Sequence, residues 1–270
     1  MGFSVLMSVY FKENPKYLEQ ALESIICQTF VPDEIILIED GPLTKELYKI
    51  IELKKDKFPN LKPYQLKKNV QLGMALAKGV TLCKNEIIAR MDSDDISVKN
   101  RFEIQYNYMV KHPDIAVTGG YMEEFNDNDI CYHKIKKMPQ KMPAIRKYAK
   151  YRNPLNHMTV MFRKSKVLEA GNYKHFPYLE DYNLWCRMLS IGDKFYNISY
   201  VLVKSRISNQ LYSRRGGFKY CLNYLRLRHM QKFYHLLSMR EYIIAIFITI
   251  GMTLQPSTLR QFVYQKILRK

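Results

Sequence analysis

Cysteine is scarce and unpatterned. The five residues Cys27, Cys83, Cys131, Cys186 and Cys221 are odd in number and never spaced C-x-x-C. That excludes a disulfide framework and a zinc cluster, and it fits a reducing compartment. Glycine is also sparse, 11 in 270 residues, and the segment after the first apolar run, Tyr10-Phe11-Lys12-Glu13-Asn14, has none. The G-x-G-x-x-G of a dinucleotide-binding dehydrogenase is therefore missing, as is the glycine-rich loop that a nucleotidyltransferase would carry there. Met1-Gly2-Phe3-Ser4-Val5-Leu6 lacks a basic region and a small-residue cleavage site, so no signal peptide is expected. The apolar run Tyr242–Leu254 has 13 residues, whereas a bilayer span needs about 20. Acid is nearly absent from the last quarter: residues 201–270 hold thirteen Lys/Arg and one acid, Glu241. That segment carries +12, and the first 200 residues carry +6. An anionic partner is expected to face it.

What is present reads as a globular α/β protein with 47% hydrophobic and 25% charged residues. Phe3–Tyr10 is β-rich and almost wholly apolar, the pattern of a strand buried on both faces. Asn14-Pro15 supplies an N-cap and a first-turn proline, and Leu18, Ala21, Leu22, Ile25 and Ile26 follow at helical spacing. Strands are expected at Glu34–Ile38, Pro63–Leu66 and Glu86–Met91, with helices at Thr44–Lys55 and Gln71–Cys83. Successive βα units imply parallel strands, right-handed crossovers and ligands at the strands' carboxyl ends. After Gly120 short strands (Ile115–Thr118, Ile130–Ile135, Thr159–Phe162) mix with helices, notably Tyr178–Ser190. From Phe218 the chain turns helical, basic and aromatic.

The chemistry-bearing residues gather at strand ends. Asp92, Asp94 and Asp95 follow the apolar strand Ile87-Ile88-Ala89-Arg90-Met91 directly. Carboxylates this close raise one another's pKa unless a cation compensates, and Mg²⁺ or Mn²⁺ is the hard ion that oxygen ligands suit. An isolated acidic triplet also makes a solvated turn, but its place after a buried strand favours the ion. Glu39-Asp40-Gly41 ends the second strand, where a carboxylate can accept from a base N–H or a ribose hydroxyl or simply shape a turn. Glu180-Asp181 opens a helix, as a cap or as a general base. Ser205–Gly217 is polar, basic and ends in two glycines, so it reads either as a loop closing over a diphosphate or as a linker. His157 reads as a structural histidine.

In this order the pieces resemble glycosyltransferase family 2. The resemblance rests on Ser4–Tyr10, Leu22–Gln28, Pro32-Asp33-Glu34-Ile35, Glu39-Asp40-Gly41, Asn69 with Gly73, Arg90–Asp95 and Glu180–Trp185, and covers roughly residues 1–210. It implies a GT-A fold: a Rossmann-like, mostly parallel sheet flanked by helices, here with a basic helical C-terminal appendage. The implied layout is a catalytic domain over 1–215, divided into a nucleotide-sugar half (1–120) and an acceptor half (121–215), then a basic amphipathic region over 216–270. It further implies an inverting mechanism, with Asp181 as base and Asp92 and Asp94 on Mn²⁺ or Mg²⁺. The nucleotide-sugar donor, UDP-linked, is expected on Ser8, Val9, Tyr10, Glu39, Asp40, Asn69, Gly73, Arg90, Asp92 and Ser93. Two departures stand out: Glu-Asp replaces the usual Asp-Asp after the second strand, and Ser208 stands where many relatives carry histidine. The Q-x-x-R-W motif of processive synthases is missing, since Trp185 is the only tryptophan, which favours addition of one sugar.

The expected acceptor is a glycan or lipid-linked glycan of a bacterial capsule, O-antigen or lipooligosaccharide. The enzyme is then expected in the bacterial cytoplasm, peripheral on the inner face of the membrane. The C-terminal charge and the amphipathic tail Leu259–Lys270 point to that membrane surface. An oligomer is compatible with the sequence. A nucleic-acid binder would interleave its cations with exposed aromatics across the sheet. Here they collect at the C-terminus, so no nucleic-acid partner is expected.

Overall fold

The computed structural model describes residues 2–127, 129–207 and 216–256; Ser208, Arg214, Arg215 and the tail Leu259–Lys270 lie outside them. The chain opens as four strands, β1 (Phe3–Val9), β2 (Glu34–Glu39), β3 (Leu61–Gln65) and β4 (Ile87–Met91). Helices α1 (Pro15–Ile26), α2 (Lys45–Lys57) and α3 (Leu72–Leu82) alternate with them. The strands pair in parallel in the order β3-β2-β1-β4, so the crossover direction reverses between β1 and β4. Ligand crevices form at such a reversal, beyond the strands' carboxyl ends.

Period-two alternation explains why these strands are apolar throughout. Phe3, Val5, Met7 and Val9 of β1, with Ile35 and Leu37 of β2 and Ala89 and Met91 of β4, pack on one face against Leu18, Leu22 and Ile25 of α1. Leu6, Ile36, Ile38 and Ile88 face the other way, onto Ala75, Leu76 and Val80 of α3. Gly79 lets α3 approach closely, because a Cβ there would lie 2.2 Å from Leu6 Cδ1. The local signals act as expected: Asn14 Oδ1 accepts from the Lys16 N–H, and Thr44 Oγ1 accepts from the Leu47 N–H.

The second half extends the same sheet. It adds β5 (Ile96–Ser97), α4 (Arg101–Lys111), β6 (Ile115–Asn126), β7 (Asp129–Lys136), α5 (Met142–Ala149), β8 (Met161–Arg163), α6 (Lys164–Glu169), α7 (Glu180–Ser190) and β9 (Lys194–Arg206). Strand β8 runs antiparallel to β4 and β6, and β6 runs parallel to β9. Strand β6 continues across Gly120, where its register to β9 shifts, and one sheet runs through both halves. Thr159 lies in a short 3₁₀ turn, His157–Thr159, ahead of β8 rather than within a strand. Helix α7 brings Leu184, Trp185, Met188 and Leu189 to the core on the α3 side.

Two helices close the described chain, α8 (Phe218–Phe233) and α9 (Met239–Leu254). They form an antiparallel hairpin: the Gly217 N–H at the start of α8 donates to Thr253 O near the end of α9. Leu227 of α8 packs on Leu179, Tyr182 and Cys186. The joint is fastened by Arg228, buried and without an acidic partner among the described residues. Its guanidinium donates to Lys150 O (2.9 Å), Tyr151 O (2.7 Å), the Tyr182 hydroxyl (3.2 Å) and Thr249 Oγ1 (3.1 Å). Truncation would strand buried carbonyls, which cost the most when left unpaired. We expect Arg228→Ala to cost about 3 kcal/mol in denaturant unfolding; a loss within experimental error would show that the joint contributes nothing to stability.

Candidate active site

The acidic cluster is set by where β4 stops. Arg90, even-numbered on β4, points to the α7 side of the sheet and is fully buried. Its guanidinium makes two hydrogen bonds to Asp92, one of 2.6 Å from Nη1 to Oδ2 and a second from Nη2 to Oδ1. Asp92, Asp94 and Asp95 then present carboxylate oxygens within 4.8 Å of one another. Glu13, from the loop after β1, closes on the cluster by accepting from the Ser93 hydroxyl. Asp95 is the deepest member, and its Oδ1 accepts from the Arg206 N–H at 2.9 Å. The Arg206 side chain at the end of β9 lies over the Tyr17 ring at 3.9 Å and the Phe125 ring at 4.7 Å. It donates to Asp94 O and pairs with Asp127.

These groups border a cavity of about 760 Å³ that opens over the β1/β4 reversal. Of the residues singled out in the sequence, Ser8, Val9, Tyr10, Asp40, Asn69, Asp92, Ser93, Asp94 and Asp95 line it. The Val9 carbonyl already accepts from the Asp40 N–H at 2.8 Å. Asp40 is steered by the Val70 N–H, 2.6 Å from its Oδ1, and its own carbonyl accepts from the Asn69 amide. Burial raises the Asp40 carboxyl above its ordinary range.

Glu39, Gly73, Arg90 and Asp181 do not line the cavity. Glu39 is buried, with its pKa raised by desolvation, so between Glu39 and Asp40 it is Asp40 that meets the space. Gly73 is a close approach of two elements: a Cβ there would lie 2.6 Å from Lys174 O and 3.0 Å from Glu180 Cβ. It seats α3 against the start of α7. Arg90 backs the cluster from behind, and its charge acts on Asp92 and Asp181 alike. His157 is structural, as expected. It is buried, hydrogen-bonded to the Tyr173 hydroxyl at 2.9 Å, edge-on to Trp185, and held neutral by burial and by Arg90.

Asp181 lies in the first turn of α7, and its Oδ1 accepts from the Tyr182 N–H at 2.7 Å. Its Oδ2 accepts from Asn153 Nδ2 at 2.5 Å. Burial raises its pKa against those two hydrogen bonds and the Arg90 charge, and raises neighbouring Glu180 to about 7. Sequence reasoning passed over Asn153, Glu13 and Arg206 as partners. Glu13 carried a signal, as an acid in the turn after the first parallel strand, and so did Arg206, as a cation in the basic segment Ser205–Gly217.

The oxygen donor set suits a hard divalent ion such as Mg²⁺ or Mn²⁺. Burial, then the charges of Asp92 and Glu13, push the Asp94 carboxyl up to about 7, which is the strain an added cation relieves.

Comparisons with known proteins bear on the family and the fold. The model of the family described as Glycosyl transferase family 2 matches residues 4–169. The chain is 38% identical over 268 residues to the UDP-Gal:alpha-D-GlcNAc-diphosphoundecaprenol beta-1,3-galactosyltransferase of Escherichia coli, covering 99% of this chain and 97% of that protein. It is also 38% identical over 267 residues to the amylovoran biosynthesis glycosyltransferase AmsE of Erwinia amylovora, covering 98% of each. Among solved structures, S. aureus TarS 1-349 in complex with UDP-GlcNAc superposes with a TM-score of 0.70 at 16% identity, covering 99% of this chain and 76% of that one. The mannosyltransferase PcManGT from Pyrobaculum calidifontis in complex with GDP-Man and Mn²⁺ gives 0.65 at 10% identity, with 97% and 79% covered. The shared architecture is the GT-A fold.

The Asp94 shift has a definite sign. The folded protein binds this proton more tightly than the unfolded chain does. Its stabilising contribution is therefore full at low pH and is lost as pH rises through about 7. In chelator, the thermal midpoint should fall between about pH 5 and pH 8, and Asp94→Asn should flatten that fall. Mn²⁺ should restore the wild-type midpoint and leave the variant unmoved. A wild-type midpoint indifferent to Mn²⁺ and Mg²⁺ contradicts a cation site here.

Proposed function

Since the chain belongs to glycosyltransferase family 2, we propose that it moves one sugar from a UDP-sugar to a hydroxyl of a lipid-linked glycan in surface-polysaccharide assembly, with inversion at the anomeric carbon. The observation that carries this reading is the convergence of Asp92, Asp94 and Asp95 on the cavity at the β1/β4 reversal. The base of the donor fits the wall made by Ser8, Tyr10, Asp40 and Asn69, where the Asp40 carboxylate can accept from an imide N–H. The relative from Escherichia coli is named for a UDP sugar and a diphosphoundecaprenol-linked acceptor, which supports both choices.

Asp94, with Asp92 beside it and Asp95 beneath, would hold Mn²⁺ or Mg²⁺. When bound, the ion supplies positive charge that offsets the charge gathering on the departing diphosphate. On the acceptor side, Asp181 takes the hydroxyl proton as the oxygen forms its bond to the anomeric carbon. The bond from that carbon to the β-phosphate oxygen breaks on the opposite face, so the configuration inverts. Burial makes Asp181 a stronger base than an exposed carboxylate, and Asn153 and the Tyr182 N–H fix its orientation. Arg90 spans the two carboxylate centres and restrains how far burial raises Asp181.

The test is turnover with a UDP-sugar and a lipid-linked or synthetic diphosphate-linked acceptor. Asp181→Asn keeps the shape and should lower turnover by about 10²–10⁴-fold while UDP binding survives. Proton couplings at the new anomeric centre should report a β-linked product from an α-linked donor. Unchanged turnover would reduce Asp181 to a helix cap, and an α-linked product would refute inversion.

A further inference from the structure

Helix α9 is built inside out. Ala245, Thr249 and Thr253 point inward, with Thr249 Oγ1 accepting from buried Arg228 and the Thr253 hydroxyl donating back to Thr249 O. Outward point Ile243, Ile244, Phe247, Ile248, Ile250 and Leu254, between 38% and 71% exposed. At 3.6 residues per turn these six share one side of the helix, and no charged residue lies between Glu241 and the helix end at Leu254. A helix on a water-facing surface shows the reverse pattern. Helix α8 adds Phe218 and Phe233, 70% and 72% exposed, on a stripe shared with the exposed Arg226.

We infer that the α8–α9 hairpin is a docking surface for an anionic lipid bilayer, with α9 lying in the interface. Charge selects this occupant. The hairpin presents Lys219, Arg226, Lys232 and Arg240, and its one acid, Glu241, is paired with Lys150 at 2.5 Å. A second copy docked face to face would set that charge against itself, whereas acidic headgroups complement it. Geometry makes the contact peripheral: α9 is about 24 Å long, and no helix among the described residues is long and apolar enough to cross a membrane. The hairpin is also wired to the proposed base. Arg228 and Gln231 hold the carbonyls of residues 149–151 and the Tyr182 hydroxyl, next to Asn153 and Asp181. Docking therefore sets Asp181 at a fixed height above the bilayer, where a lipid-borne acceptor lies. The surface rests on α9 itself and stands apart from the reaction.

Full-length protein is sedimented with phosphatidylglycerol/phosphatidylcholine vesicles and with phosphatidylcholine vesicles, at low and high salt. Binding to the anionic vesicles, weakened by salt, is expected. The exposed-face variant Ile244→Glu/Phe247→Glu should partition about ten- to a hundredfold less, with an unchanged thermal midpoint and unchanged UDP-sugar hydrolysis. Phe247→Trp should shift its emission to the blue on anionic vesicles and be quenched by brominated acyl chains. Wild type left in the supernatant at low salt overturns the inference, as does equal binding by the double variant. A dimer that the double variant splits, with no vesicle binding, overturns it in favour of a second copy.

Discussion

Negative charge is packed under an apolar sheet at the end of β4, and the molecule around it is arranged to tolerate that. Asp92, Asp94, Asp95 and Glu13 converge where strands buried on both faces run out, and burial with mutual repulsion drives the Asp94 carboxyl to about 7. One buried guanidinium, Arg90, answers Asp92 from behind, and Arg206 tethers Asp94 and Asp95 through a carbonyl and its own N–H. What remains is a set of oxygen donors without enough positive charge, facing a cavity. Such a cluster keeps its carboxylates at a cost in stability that a bound cation would offset.

Arg90 also makes the site one unit rather than two. It stands on the α7 face of the sheet because β4 alternates, and that same face receives the N-terminal turn of α7 with Asp181. Gly73 lets α3 come close enough to hold that turn in place. Arg90 thus holds Asp92 by hydrogen bonds and reaches Asp181 through its charge, while Asn153 and the Tyr182 N–H orient Asp181.

The parallel half was legible because burial on both faces leaves a continuous apolar run, and caps such as Asn14 and Thr44 announce their helices. Helix α4 escaped notice because its inward positions include Arg101 and Gln105, whose hydrogen bonds rather than hydrophobicity place them inside. Strand β9 was invisible because half-buried, polar positions punctuate it. At the site, the acids could be read from position, but their division of labour could not. Whether Glu39 or Asp40 meets the cavity depends on the turn after β2, and Asn153 reaches Asp181 across 28 residues of sequence. The C-terminal helices were read as amphipathic and basic, yet the polar residues of α9 turn inward. Only packing against Arg228 reveals that reversal.

The central claim is that this acidic cluster takes a nucleoside diphosphate through a divalent cation. Calorimetric titration of UDP into the wild-type protein and into Asp94→Ala, with Mn²⁺ and with chelator, tests it most directly. Binding that needs Mn²⁺ in the wild type and disappears in the variant is the predicted result. Equal UDP affinity in all four titrations would contradict the account.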